Sequence, residues 1–219
     1  MFRHEATVGA GLPVISTVRD PIDTGDAVLA IEGILSGTLA WVCHRYHGTM
    51  PFGERVRQAR DRGIPKTEPR DDLCGLAEAR TIVLRAREVG WSLSLDQVRV
   101  ESRLPTALRE LSRDEFRQRL DEMDAPFATR DEVARAAGHV LRYVAHRAYD
   151  GRACVGLVAL PTGHAFAHTA LTDNIVLFRT RRYADNPLIV RHPGAGTGVT
   201  AAGAFAGVLR VAASPGARV

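Results

Sequence analysis

Apolar and polar positions along this 219-residue chain follow two periods, and the switches between them mark out its elements. Residues 27–35 (AVLAIEGIL) form an apolar run of strand length, bounded by Gly25 and Gly37. Residues 52–62 and 72–88 have helical spacing, the second with Leu73, Leu76, Ala79 and Val83 on one face. Ser112 with Glu115, and Thr129 with Glu132, have capping-box spacing and predict two more helix starts. Residues 140–148 and 152–160 read as antiparallel strands turning at Asp150 and Gly151. Further strands are expected at 175–180 and 188–191, and helices at 12–18 and 199–211. Interleaved helices and strands with a late run of strands predict one α+β domain over residues 1–219, a mixed β-sheet covered by helices on one face. The uncovered face would be a large apolar patch, so a homodimer is expected.

Composition narrows the function classes. With 45% apolar residues the chain can build an ordinary globular core. It contains no run of 18 apolar residues, and residues 1–11 (MFRHEATVGAG) lack a signal-type apolar stretch. Cys43, Cys74 and Cys154 have no CxxC spacing and read as thiols of a reducing, cytoplasmic compartment. The net charge of +4 comes from scattered arginines, with only RTRRY at 179–183 locally basic. No stripe for nucleic acid is formed. His44 with His47, and His164 with His168, lack a carboxylate or cysteine at ligand spacing and read as satisfied polar histidines rather than a zinc site. No GxSxG or Cys-His signature supports a hydrolase.

Residues 64–81 (IPKTEPRDDLCGLAEART) carry the candidate chemistry. They resemble the Glu-Pro-Asp-Pro-x-x-Asp-Leu-x-Gly-x-Asp-x-Ala-x-Lys segment of homoserine dehydrogenases, matching at Pro69, Asp71, Asp72, Leu73, Gly75, Ala79 and Arg80. Residues 5–15 (EATVGAGLPVI) resemble the stretch that follows the family's nucleotide-binding domain. Residues 31–38 (IEGILSGT) resemble its strand-to-helix junction. Residues 172–178 (TDNIVLF) and 194–210 (GAGTGVTAAGAFAGVLR) resemble its TDN strand and the glycine loop opening the closing helix. These motifs keep the family's order across nearly the whole chain.

The resemblance implies a mixed sheet paired with a second subunit, and a site for an amino-acid-like small molecule such as aspartate semialdehyde. It places Gly37, Thr38, Glu68, Asp71 and Asp72 at that ligand, with Asp72 on its amino group. It also implies a monovalent cation held by the Glu5 side chain and the carbonyls of Val8, Ala10 and Leu12. The departures are specific. Lys66 stands where the family has a substrate-binding Glu, Ala77 where it has an Asp, and Thr81 where it has the catalytic Lys. Lys66, the sole lysine, is therefore the expected nucleophile or acid of any remaining chemistry. The family's GxGxxG domain is expected to be missing ahead of Glu5, and GAGTG at 194–198 reads as a helix-opening turn. No organic cofactor is expected. Three readings follow: a repurposed enzyme acting on a small amino acid or its aldehyde without hydride transfer, a non-catalytic binding or regulatory domain, or the substrate half of a split dehydrogenase.

Overall fold

The structure, a computed structural model, describes residues 5–64, 69–102, 104–169, 173–193 and 196–213. It opens with α1 (Glu5–Gly9) and α2 (Val14–Asp23), then β1 (Val28–Ile34), α3 (Gly37–Arg45) and α4 (Phe52–Asp61). Next come α5 (Pro69–Leu73), α6 (Leu76–Glu88), the short β2 (Arg99–Val100), α7 (Thr106–Arg109), α8 (Arg113–Gln118) and α9 (Asp124–Ala136). The chain closes with β3 (His139–Ala148), β4 (Ala153–Pro161), β5 (Asp173–Thr180), β6 (Leu188–Pro193) and α10 (Thr197–Ala212).

Among the described residues the strands form one sheet in the order β2-β4-β3-β1-β5-β6. All neighbours are antiparallel except the parallel pair β2 and β4. In this register Ile31 lies opposite Phe178, Gly33 opposite Val176 and Ala145, and Tyr143 opposite Leu157. Because side chains alternate along a strand, these residues share one face. That face packs on Val14 and Val18 of α2, Leu39 and Trp41 of α3, Phe52 of α4, Ile82 and Ala86 of α6 and Phe127 of α9. The expected α+β sheet with helices on one face is what the chain forms.

The alternate positions point the other way. Ile34, Val144, Ile175 and Leu177 gather under Phe166, which sits in a single 3-10 turn (Ala165–His168). Beyond that patch the face is open: Val158 is 41% exposed, Ile189 48%, and Cys154 is exposed. Glu32 and His146 pair across it at 3.4 Å, and the hydrogen bond from His146 holds the Glu32 carboxyl below its ordinary range.

Several boundaries differ from the sequence reading. The helix expected over 72–88 is broken at Gly75, which has φ +77 and caps α6. The break rotates Leu76 off the core face, leaving it exposed. Thr129 does not start a helix; it lies inside α9 and its hydroxyl donates to the Ala125 carbonyl at 3.0 Å. Ser112 does form its capping box with Glu115. The helix expected at 12–18 begins at Val14 and continues to Asp23 with Pro21 inside it.

Helix α10 has sixteen residues and buries none of them. It touches the body through small residues. A β-carbon on Gly203 would come 2.5 Å from the Ala10 carbonyl oxygen, and one on Gly11 would meet Val199 at the same distance. Away from that contact, Phe205, Val208 and Leu209 are 61%, 62% and 53% exposed, at the i, i+3, i+4 spacing of one helix stripe.

Candidate functional site

The site forms where β1 hands over to α3. Ser36 is the N-cap of α3, its hydroxyl accepting from the Leu39 amide at 3.1 Å. This fixes Gly37 and Thr38 in the first turn. The Thr38 hydroxyl then donates to Asp72 Oδ2 at 2.7 Å, joining α3 to α5. Two of the sequence-predicted substrate residues are thus in direct contact, and Gly37 immediately precedes Thr38 in the chain. Upstream, Gly33 has to be a glycine. A β-carbon there would stand 2.8 Å from the Ile175 carbonyl oxygen and 3.5 Å from Arg85 of α6.

Gly75 sets the angle between α5 and α6. Its left-handed backbone suits glycine, and a β-carbon would fall 2.2 Å from the Tyr143 hydroxyl. That hydroxyl donates to the Glu101 carbonyl at 3.1 Å, so it cannot move aside freely. The turn delivers the first residues of α6 beside Asp72. Of these, Ala77 is exposed and Glu78 is buried. Thr81, at the family's lysine position, spends its hydroxyl on the Ala77 carbonyl at 2.9 Å.

Sequence reasoning missed two charged groups on α6. Glu78 and Arg85 are each only 2% exposed. Neither Glu78 oxygen completes a hydrogen bond, although the Ser36 hydroxyl lies beside the carboxyl and partly favours its anion. Burial first, with the Asp72 charge adding to it, pushes the Glu78 pKa up to about 7 against the pull of its own amide and Ser36. Burial lowers Arg85 to about 9, offset in part by the Glu5 charge. The available signal was the helical wheel: positions 78 and 85 lie two turns apart on the stripe that carries Ile82 and Ala86.

Lys66 and Glu68, and the Asp71 side chain, lie outside the described residues. The predicted cation ligands are accounted for differently. The Glu5 carboxylate accepts from the Ile15 and Ser16 amides at 2.6 and 3.1 Å, capping α2 from a distance in sequence, and Arg210 of α10 approaches to 3.6 Å. The Leu12 carbonyl accepts from the Val14 amide at 2.8 Å. Ala10, at φ +53, turns its carbonyl toward Gly203, and Val8 lies in α1. An ion at this turn would have to compete with those donors for Glu5 and Leu12. Among the described residues no three His, Cys, Asp or Glu side chains come together as metal ligands.

The histidines stay apart from this site. His164 caps its own 3-10 turn by accepting from the Phe166 amide, and His47 lies beyond the end of α3. His44 borders a cavity of about 170 Å³ with Tyr46, His47, Asp131 and Arg135, at the end of α3 remote from Thr38. Burial, then the Arg142 and His47 charges, lower the His44 pKa. A second cavity, about 260 Å³, lies between Leu104, Met123 and Arg130.

Comparison with known proteins agrees with the fold and the motifs. The sequence model of the homoserine dehydrogenase family matches residues 13–209. A chloroplastic bifunctional aspartokinase/homoserine dehydrogenase 2 of Zea mays is 47% identical over 99% of this chain. The chain spans only 24% of that protein's length. A crystal structure of a Candida auris protein of unknown function superposes with a TM-score of 0.90 at 40% identity, covering 95% of this chain and 60% of that one. A homoserine dehydrogenase structure from Thiobacillus denitrificans shares the fold, with a TM-score of 0.74 at 23% identity over 98% of this chain and 47% of its own. With the family model matched across the sheet, the Thr38–Asp72 contact and most of α10, this chain belongs to the homoserine dehydrogenase family.

Proposed function

We propose that this chain is an amino-acid-binding and subunit-pairing domain of the family. It would hold a homoserine- or aspartate-semialdehyde-like ligand at Thr38 and Asp72 without performing hydride transfer by the family's route. The observation that carries this reading is the Thr38–Asp72 hydrogen bond, which fixes a carboxylate at the start of α3 where an ammonium group can pair with it. Thr81 and Ala77 speak against the ancestral chemistry: one is a hydroxyl bonded back into its own helix, the other an exposed methyl. Glu68 and Asp71 join the proposed ligand set from the family pattern. Lys66 is proposed as the amine that would act on a ligand carbonyl or anchor its carboxylate. A monovalent cation at Glu5 remains part of the proposal.

The test is ligand-induced stabilisation. L-homoserine at a hundred times its dissociation constant should stabilise the chain by about 2.7 kcal/mol, a rise of about 5–11 °C in melting temperature. Asp72→Asn should abolish the rise. Equal rises in both proteins would remove Asp72 from the site.

A second reading is favoured by α10. Its stripe of Phe205, Val208 and Leu209 is a docking face that the described residues leave uncovered. In this reading a nucleotide-binding unit seats on the stripe and the chain is the substrate half of a two-part enzyme. Homoserine oxidation by the purified chain with NAD(P) alone would overturn both readings, and oxidation only after a nucleotide-binding unit is added would overturn the first.

A further inference from the structure

Glu78 is a buried acid to which the ligand reading gives no task. It sits in the first turn of α6, where Gly75 provides no side-chain cap, and that turn meets Ser36 of α3 and Asp72 of α5. Both oxygens are out of water and neither completes a hydrogen bond. A carboxylate in that state is costly beside a second one, and the cost falls when a positive group arrives.

We infer that Glu78 is the second carboxylate of an ammonium subsite: without ligand it is partly protonated at neutral pH, and it gives that share of a proton up to solvent when an amino-acid ligand's ammonium group binds beside Asp72. The inference rests on the ligand reading above and specifies the chemistry of one end of the ligand.

The surroundings set the direction. Asp72 faces Glu78 from α5 and opposes its ionisation, while Ser36 from α3 and the Glu78 amide favour it weakly. Arg85 lies on the same helix face two turns away, about 10 Å along the axis by helix rise. None of these neutralises the carboxyl in the empty site, whose pKa stands near 7. An ammonium group in contact with both carboxylates would favour the doubly ionised pair. Its charge thus replaces the proton, and nothing else is exchanged. If Glu78 instead serves only the N-terminus of α6, its titration alters stability and leaves binding untouched.

Calorimetry of the full chain separates the two. L-homoserine is titrated at pH 7 in buffers of unequal protonation enthalpy, with 4-hydroxybutanoate, which lacks the ammonium group, as the control. Wild type should release about half a proton per homoserine bound, and its affinity should rise about tenfold from pH 6 to pH 8 as the ionised fraction grows. Glu78→Gln, neutral and nearly the same shape, should bind with no proton release and no such pH dependence, and 4-hydroxybutanoate should release none from either protein. A ¹³C titration of the wild-type Glu78 carboxyl, with and without homoserine, should show its midpoint falling on binding. Homoserine binding without proton release, equal release from Glu78→Gln, or an unmoved midpoint overturns the inference while leaving the ligand reading intact. Failure of homoserine to bind wild type at any pH overturns both.

Discussion

At the scale of single residues, Glu78 also governs how stability follows pH. Its pKa is raised from 4.5 to about 7 in the folded chain, so the fold prefers the protonated acid. The stability this provides is complete below about pH 4.5 and is lost as pH rises through about 7, a difference of about 3 kcal/mol. Glu78→Gln should flatten that part of the profile and leave the variant more stable than wild type at pH 8, measured by urea denaturation across the range. A wild-type profile already flat between pH 4.5 and 8 would count against the buried acid. The sequence revealed Asp72 and Thr38 because both lie in motifs whose spacing survives. Glu78 and Arg85 share a helical-wheel stripe with Ile82 and Ala86, but that stripe alone does not say that it faces inward. Their burial is decided by the angle at Gly75, a tertiary fact. Lys66, the most pointed sequence candidate, lies outside the described residues.

At the scale of elements, strands were the more legible. β1, β3, β4 and β5 were each expected to within two residues, since a strand buried on one or both faces must be written in apolar residues, and the largely exposed β6 was expected as closely from Leu188, Ile189 and Val190. Helix starts were less so. Ser112 capped as expected, whereas Thr129 has the same spacing and sits in mid-helix, because the helix had already begun at Asp124. The junction at Gly75 was invisible for a different reason: a glycine inside a helical pattern reads equally as a tolerated residue or a break. The structure turns this into a measurable expectation. Gly75→Ala meets both a left-handed backbone, which costs a side chain about 1–2 kcal/mol, and the Tyr143 hydroxyl. Destabilisation should exceed 2 kcal/mol, and the same change combined with Tyr143→Phe should recover part of it by removing the oxygen in the way. A neutral Gly75→Ala would mean that α5 and α6 are not held at this angle.

At the scale of the whole molecule, the fold class followed from element order and from the motifs together, while pairing of subunits is still a proposal. Its physical basis is the sheet face that carries Val158, Ile189 and Cys154 in the open. A two-fold dimer covering that face should keep the mass of two chains across a dilution series in light scattering. Val158→Asp should shift the mass toward one chain, and a wild-type mass of one chain throughout would exclude the dimer.

The uncovered stripe on α10 bears on how the isolated chain behaves in a tube. A greasy ridge that docks on a different surface of the next molecule joins copies head to tail, and where the rotation between them does not close such contacts grow. Ammonium sulfate should therefore drive this chain into turbid, open-ended particles at modest concentration, and trace non-ionic detergent should clear them. Phe205→Ser should stay clear in salt without any help. Purification conditions chosen for solubility would then be masking this surface.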